Sequence, residues 1–434
     1  MKINCVLFFQ LLLVCLSGLA QDKLLSLERV VQLTLKNNYN IRLSTEETAK
    51  AKTLNTVGNA GMLPTLNFSS ALNFANNATK QNFANGLVVD KKNVKSNNIS
   101  SGIFFSWTLF DGLKMFHIKE GLNQEELLKN LELKKQIETT LFDLLKSYYT
   151  IIKQKKNQNI FRENLKLSQS IFELAQAKEK SGLSSGADLM LAKINLNQTS
   201  AALIKEDIQL NELKTSFLLL INEESLSSDF NLEDTLLFSF SETNTPVKNW
   251  EDNVDLLLLK KKDDIEKNKL RLNASNYFPR LNLTSNYLFS RNENAAGFAL
   301  LNQNLGWNNG LSLSWSIFNG GTTLIDRKIL QINLLQSKTR QEQLSKLLSN
   351  KESTLDYAIG QKLRQIELET QNKNMADELV RVSLKKYEQG LINLVELKMV
   401  QQEAFSIYLR QIEIAYEIQI LELEKKKLTG KLIQ

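Results

Sequence analysis

The sequence predicts a mainly α protein with a β-barrel portion: long α-helical hairpins plus four alternating β-strands per chain. Three observations lead there. The 434 residues include only 3 prolines, and an interior proline costs a helix about 3 kcal/mol. Very long helices are therefore tolerated, and a loop-rich sandwich is disfavoured. The chain also repeats itself. Within each copy, the apolar period switches between 3.6 and 2.

Composition excludes whole classes of chemistry. One histidine, His117, and two cysteines, Cys5 and Cys15, occur in the chain. They cannot build a His/Cys metal site or a Ser–His or Cys–His triad. No catalytic residue, metal or cofactor is expected, and nothing suggests a glycosidase-type carboxylate pair. His117 reads as a plain surface or interfacial residue. The formal charge of +7 is spread over the chain in runs such as Lys425-Lys426-Lys427. It makes solvated helix faces and no nucleic-acid patch.

The N-terminus reads as a secretory signal over 1–20. Lys2 precedes an apolar run from Val6 to Leu16, and Ser17-Gly18-Leu19-Ala20 supplies a small-residue cleavage site. The run is too short to span a bilayer, which takes about 20 residues. Cleavage removes both cysteines. No later segment is apolar enough for a transmembrane helix.

Next comes the duplication. Met62-Leu-Pro-Thr-Leu aligns with Tyr277-Phe-Pro-Arg-Leu, and Asn38 with Asn253, at an offset of 215. Phe105-Ser-Trp-Thr-Leu-Phe-Asp-Gly112 aligns with Leu313-Ser-Trp-Ser-Ile-Phe-Asn-Gly320 at 208. Ser181-Gly-Leu183 and Asp188 align with Gln389-Gly-Leu391 and Glu396 at the same 208. One seven-residue length change between residues 76 and 100 separates the two offsets. The copies are 21–221 and 251–434, joined by an irregular crossover over 222–250 that contains Pro246 and a possible short strand at Leu236–Phe240.

Each element of the repeat follows. An opening helix covers about 26–61 or 254–276. Pro64 and Pro279 start the first strand of each hairpin, where a missing N–H is tolerated. The hairpins cover about 65–110 and 280–318. Leu66, Phe68, Leu72 and Phe74 alternate with Asn67, Ser69, Ala71 and Asn73. Ile103, Phe105, Trp107 and Leu109 lie opposite Ser101, Ser106 and Thr108. Leu311, Leu313, Trp315 and Ile317 lie opposite serines. These are strands of about ten residues, joined by Asn-rich loops at 76–98 and 292–304. After the corners Gly112 and Gly320, 69 proline-free residues lead to Gly182 and Gly390. They predict long helices at 113–181 and 321–389, each about 100 Å at 1.5 Å per residue. Return helices follow at 187–221 and 393–429.

Strands apolar on one side and small-polar on the other fit a transmembrane barrel wall. Four strands cannot close a barrel, and open edges are not tolerated in lipid. Several chains must therefore share one barrel, and three would supply twelve strands. The alternative is a secreted structural coiled coil that uses its strands for assembly.

This order of elements resembles the TolC family of outer-membrane efflux proteins. The motifs that carry the likeness are Leu25-Ser-Leu-Glu-Arg-Val-Val-Gln-Leu-Thr-Leu, Leu63-Pro-Thr-Leu, Phe278-Pro-Arg-Leu, Leu109-Phe-Asp-Gly112, Ile317-Phe-Asn-Gly-Gly321 and Tyr387-Glu-Gln-Gly-Leu-Ile-Asn-Leu-Val-Glu-Leu397. The resemblance implies a homotrimeric channel-tunnel in the outer membrane of a Gram-negative bacterium, extending into the periplasm. It implies a periplasmic adaptor and an inner-membrane pump of RND, ABC or MFS type as partners, outer-membrane lipid around the strands, and no nucleic acid. Gly182, Leu183, Gly390 and Leu391 would be the tips that dock the adaptor. Asp188, Tyr387 and Glu396 would form the periplasmic gate. Two positions depart from the family's gate pattern: Ile392 stands where a base is usual, and Met399 where an inner acidic residue is usual.

Overall fold

A computed structural model describes residues 23–223, 230–233, 250–295 and 299–432. The signal segment with Cys5 and Cys15, the strand expected at Leu236–Phe240, and Pro246 lie outside the described residues. In order, the elements are β1 (Lys23–Leu25), α1 (Leu27–Asn37), α2 (Tyr39–Leu54), β2 (Thr65–Asn82), β3 (Val88–Phe110), α3 (Lys114–Lys180) and α4 (Gly186–Ile221). Then come β4 (Phe230–Leu232), α5 (Val254–Ala274), a 3-10 turn (Ser275–Tyr277), β5 (Arg280–Asn294), β6 (Leu301–Ser314), α6 (Thr322–Glu388) and α7 (Leu394–Leu428). The two long helices are equal, at 67 residues each.

The chain forms two compact units, and neither is one sequence repeat. One combines the N-terminal stretch to Glu46 with Leu131–Leu257 and Gln343–Gln434. The other combines Glu47–Asn130 with Leu258–Glu342. Each thus takes corresponding parts of both repeats.

The first unit is held by helix packing around Leu144, Tyr148, Ile151, Phe217, Ile221 and Ile418, all nearly inaccessible. The three-residue β1 and β4 pair in parallel beside this core. Tyr148 donates its hydroxyl to the Glu233 carbonyl at 2.7 Å. Phe230 packs 5.8 Å from Phe217, ring to ring. The crossover is therefore anchored at Phe230–Leu232, a strand that the sequence reading does not contain. Burying five or six such side chains is worth roughly 1.5–3 kcal/mol apiece.

The same joint is built twice in this unit. Asn38 donates to the Leu220 carbonyl at 2.9 Å, and Asn253 donates to the Leu428 carbonyl at 2.9 Å. Each asparagine also accepts at the start of its own helix, from Ile41 N and Leu256 N. This corrects the single opening helix expected over 26–61. Asn38 is extended, with φ −61° and ψ 127°. It breaks the helix in two and caps the second half, as a short amide side chain competing with the backbone does. The helix then ends at Leu54.

The second unit carries one antiparallel sheet in the order β2-β3-β5-β6. Leu66 pairs with Phe105, and the offsets read from the sequence carry that pair onto Leu281 and Leu313, which pair in turn. The expected ten-residue strands are too short: the four span 18, 23, 15 and 14 residues. The Asn-rich stretches expected as loops are mostly strand. The backbone ladder needs no apolar alternation, so it continues to a tight turn where Phe83 N bonds Leu87 O at 2.8 Å. β6 departs in the other direction and stops at Ser314, four residues short of the expected end at 318.

Candidate functional sites at the helix tips and the membrane sheet

Opposed residues on an antiparallel sheet share a face. One face carries the rows Phe68–Ile103, Ile103–Tyr287–Trp307 and Trp107–Leu283–Leu311. The Tyr287 and Trp307 rings lie 5.0 Å apart. This face is interrupted by Ser70, Ser101, Ser285 and Asn309. Ser101 thus sits beside Ile103's row and not opposite it, because residues 101 and 103 share a strand face. In the rows from Thr65 to Ala75 and their partners, the other face carries Asn, Ser, Thr, Gly and Ala apart from Phe104 and Leu288, with Arg280 at the start of β5. The apolar face is widely exposed: Phe68 at 74 %, Trp307 at 68 %, Leu313 at 68 %. A surface of that kind marks a membrane or protein contact.

Two prolines and two tryptophans tie sheet to helix in the same way. Pro64 and Pro279 each precede the first strand residue. Trp107 donates its indole N–H to the Met62 carbonyl at 2.9 Å, and Trp315 donates to the Tyr277 carbonyl at 3.1 Å. Each acceptor lies two residues before its proline. At the first corner, Gly112 has φ +70°, and Asp111 caps Met115 N at 3.1 Å. A Cβ on Gly112 would meet the Ser275 carbonyl at 2.6 Å. At the second corner, Gly320 has φ +69°, and a Cβ there would meet nothing within 4 Å. Just beyond, the Asn268 amide holds the His117 carbonyl at 2.8 Å.

The tips lie in the first unit. Gly182 (φ +73°) ends α3 and Gly390 (φ +77°) ends α6. Leu183 N reaches back to Lys178 O at 2.8 Å and Gly182 N to Glu179 O at 3.0 Å. Leu391 N and Gly390 N repeat this with Lys386 O and Tyr387 O. Both turns are Schellman motifs. That motif usually packs its last apolar residue against the helix, but here the facing position is lysine in both turns. Leu183 and Leu391 are left 78 % and 68 % exposed.

Tyr387 is buried among Ile171, Ala175, Ala192, Leu394 and Leu397. Lys178 lies 4.3 Å above its ring and donates to its carbonyl. Among the described residues, the Tyr387 hydroxyl has no hydrogen-bond partner. Burial, reinforced by the Asp188 charge, pushes it above the ordinary phenol range. Asp188 and Glu396 both stand at the third residue of a return helix. Ser185 and Asn393 cap those helices by accepting from Asp188 N at 3.3 Å and Glu396 N at 2.9 Å. Ser184 and Asn393 also hydrogen-bond the two carboxylates. Both carboxylates therefore face a helix N-terminus, where the backbone dipole favours them. Ile392 packs on the Tyr387 cluster, and Met399 is exposed.

Sequence reasoning missed Lys178, whose contact lies across the two hairpins. It also missed a polar layer one helical stretch away. There Gln401 donates to Asn164 at 2.7 Å and to Ser168 at 2.8 Å, while Asn195 donates to Gln401 at 3.4 Å.

Two 67-residue helices, each followed by a return helix, together with a four-stranded sheet that has one lipid-type face, are the elements of an outer-membrane channel protein. Among the described residues, no helix is long and apolar enough to cross a membrane. The family model described as outer membrane efflux protein matches residues 30–216 and 252–431, and the chain belongs to that family. It is thus an outer-membrane protein extending into the periplasm. Among solved structures, it resembles CusC at 16 % identity and TM-score 0.78, with 93 % of this chain and 91 % of that one covered. It resembles the Campylobacter jejuni CmeC outer membrane channel at 15 % identity and TM-score 0.77, with 93 % and 85 % covered. It resembles VceC of Vibrio cholerae at 11 % identity and TM-score 0.75, with 93 % and 95 % covered. At these identities, the likeness is one of fold. No curated protein matches the sequence. The family and these structures are membrane channels, not enzymes.

Proposed function

We propose that the chain is the passive outer-membrane duct of a tripartite efflux or type I secretion system and has no catalytic activity of its own. Three chains contribute four strands each to one barrel, and the helices carry the duct into the periplasm. The observation that carries this reading is a four-stranded sheet with one apolar face and two open edges, which lipid does not tolerate in a lone chain.

The tip turns at Gly182-Leu183 and Gly390-Leu391 dock a periplasmic adaptor, which links the duct to an inner-membrane pump of RND, ABC or MFS type. The two exposed leucines, each held on a rigid Schellman turn, support that assignment. Asp188, Tyr387 and Glu396 form the periplasmic gate. Tyr387's unpartnered hydroxyl and its proximity to the Asp188 charge support a role there. The gate lacks the base that Ile392 replaces, so its closure rests more on the apolar cluster around Tyr387.

The test is extraction followed by export. The protein should require detergent for release from outer membranes and should scatter light as a trimer. Leu183→Glu with Leu391→Glu should abolish export in cells while trimers and membrane insertion persist. A water-soluble monomer would sink the duct. Unimpaired export by the double variant would sink docking at the tips.

A further inference from the structure

The internal repeat specifies how one chain pairs with the next. We infer that β6 joins β2 of a second copy in a fixed register, with Leu311 opposite Leu72, Ser312 opposite Ala71 and Trp315 opposite Phe68. This inference rests on the trimeric reading above and supplies its seam.

The template is the β3–β5 junction, where the first repeat meets the second inside one chain. There Ile103 pairs with Tyr287, Phe104 with Asn286, and Trp107 with Leu283. The offset of 208 carries β3 onto β6, and 215 carries β5 back onto β2. The hairpins themselves obey both offsets, so the transfer is sound. Every transferred pair also keeps apolar residues with the apolar face.

Three features of the lone chain then find a cause. First, β6 stops at Ser314, whereas β3 runs to Phe110, whose counterpart is Phe318. Trp107, Thr108 and Phe110 pair only with β5. Their counterparts Trp315, Ser316 and Phe318 have no such strand beside them until a second β2 arrives. Second, Gly102 is hemmed in, since a Cβ there would lie 2.8 Å from the Tyr287 carbonyl. Its counterpart is also glycine, Gly310, yet a Cβ on Gly310 meets only a side-chain atom at 3.4 Å. Gly112 and Gly320 repeat the contrast, 2.6 Å against open space. The second repeat thus carries glycines that a neighbour's β2 and its lead-in, around Ala60 and Leu63, would make necessary. Third, exposure is lopsided. Leu109 and Phe110 are 39 % and 36 % exposed, while their counterparts Ile317 and Phe318 are 85 % and 84 % exposed. On the receiving edge, Leu63 and Leu66 are 56 % and 69 % exposed.

Cysteine pairs test the register, since the sequence after Cys15 contains no cysteine. Within one chain, residues 71 and 312 sit on opposite edges of the sheet, three strand spacings or about 14 Å across and a further eight residues or about 26 Å along, because the rung of Ala71 ends on Asn304. A disulfide needs Cα atoms within about 7 Å, so it can form only between chains. Ala71→Cys with Ser312→Cys, oxidised in outer membranes, should run as a covalent trimer. Leu72→Cys with Leu311→Cys samples the neighbouring rung, because adjacent rungs alternate in bonding type and spacing. Ser69→Cys or Asn73→Cys with Ser312→Cys, one diagonal away, should link about fivefold less. Stronger linking at either diagonal pair overturns the register. No linking in any variant, with a trimer still seen by light scattering, overturns edge pairing and leaves the trimer standing. A monomer by scattering removes the trimeric reading and the seam together.

Discussion

Replacing Lys178 with methionine should loosen the tip specifically. The ammonium stands 4.3 Å over the Tyr387 ring, a contact worth about 0.5–2 kcal/mol depending on desolvation. It also donates to the Tyr387 carbonyl at the end of α6, a charge-assisted bond worth about 1.5–3 kcal/mol. Methionine keeps most of the side-chain volume and loses both. The combined loss is about 2–5 kcal/mol, charged to local opening of the turn and not to global unfolding, because the contact lies within a satellite cluster of six buried residues. A loss of 2 kcal/mol speeds exchange of the protected amides roughly 30-fold. Hydrogen exchange read by mass spectrometry over residues 384–397, in detergent, measures it. Lys178→Arg should restore most of the protection, since a guanidinium also stacks on an aromatic face. Lys386→Met is the control: it occupies the same place on the second long helix but is exposed. Equal acceleration in both variants would refute the reasoning.

Gly112→Ala should destabilise the second unit by about 2–5 kcal/mol, from a positive φ and a 2.6 Å approach to backbone; a lower temperature for loss of the folded band on semi-native gels checks it. Trp107→Phe and Trp315→Phe each remove one indole hydrogen bond and should cost about 1 kcal/mol, adding in the double variant, as read by denaturant midpoints. Glu138 is buried, and burial holds its carboxyl above the ordinary carboxylate range despite Lys134 and Lys427. A folded-state value above the unfolded one gives stability that is complete below the unfolded value near 4.3 and lost as pH rises through the raised one. Glu138→Gln should therefore raise the melting temperature at pH 7 and make no difference near pH 4. Gln401→Leu leaves Asn164 and Ser168 short of a partner and should cost about 1–3 kcal/mol, visible as a lower melting temperature.

Much of this was legible in the sequence because it depends on local period and local punctuation. Alternation places Phe68, Ile103 and Trp107 on one face wherever the strand sits. Glycine ends α3 and α6 because the turn needs a positive φ that other residues adopt at a cost. What was not legible depends on partners distant in the chain. Asn38 breaks a good amphipathic pattern because it serves Leu220 as well as its own helix. Lys178 looks like any lysine in a last helical turn until Tyr387 is placed beneath it. The strands outrun their apolar stretch because a ladder is made by backbone, and asparagine or lysine continues it. The acidic residues at the tips have a local explanation, as helix starts, that the spacing alone could not weigh against a ring of charge.

The seven residues by which the two repeats differ lie at the far end of the first hairpin. Divided between β2 and β3, they lengthen each by three or four residues, about 10 Å at 3.3 Å per residue. In a trimer, the outer rim would rise and fall around its circumference, with three tall hairpins alternating with three short ones. The tall ones carry Lys80, Lys91, Lys92 and Lys95 around Asp90 and end in the exposed turn at Asn85-Gly86. If the chain is the duct proposed above, that crest faces the cell exterior, and an epitope inserted there should label intact cells while export continues.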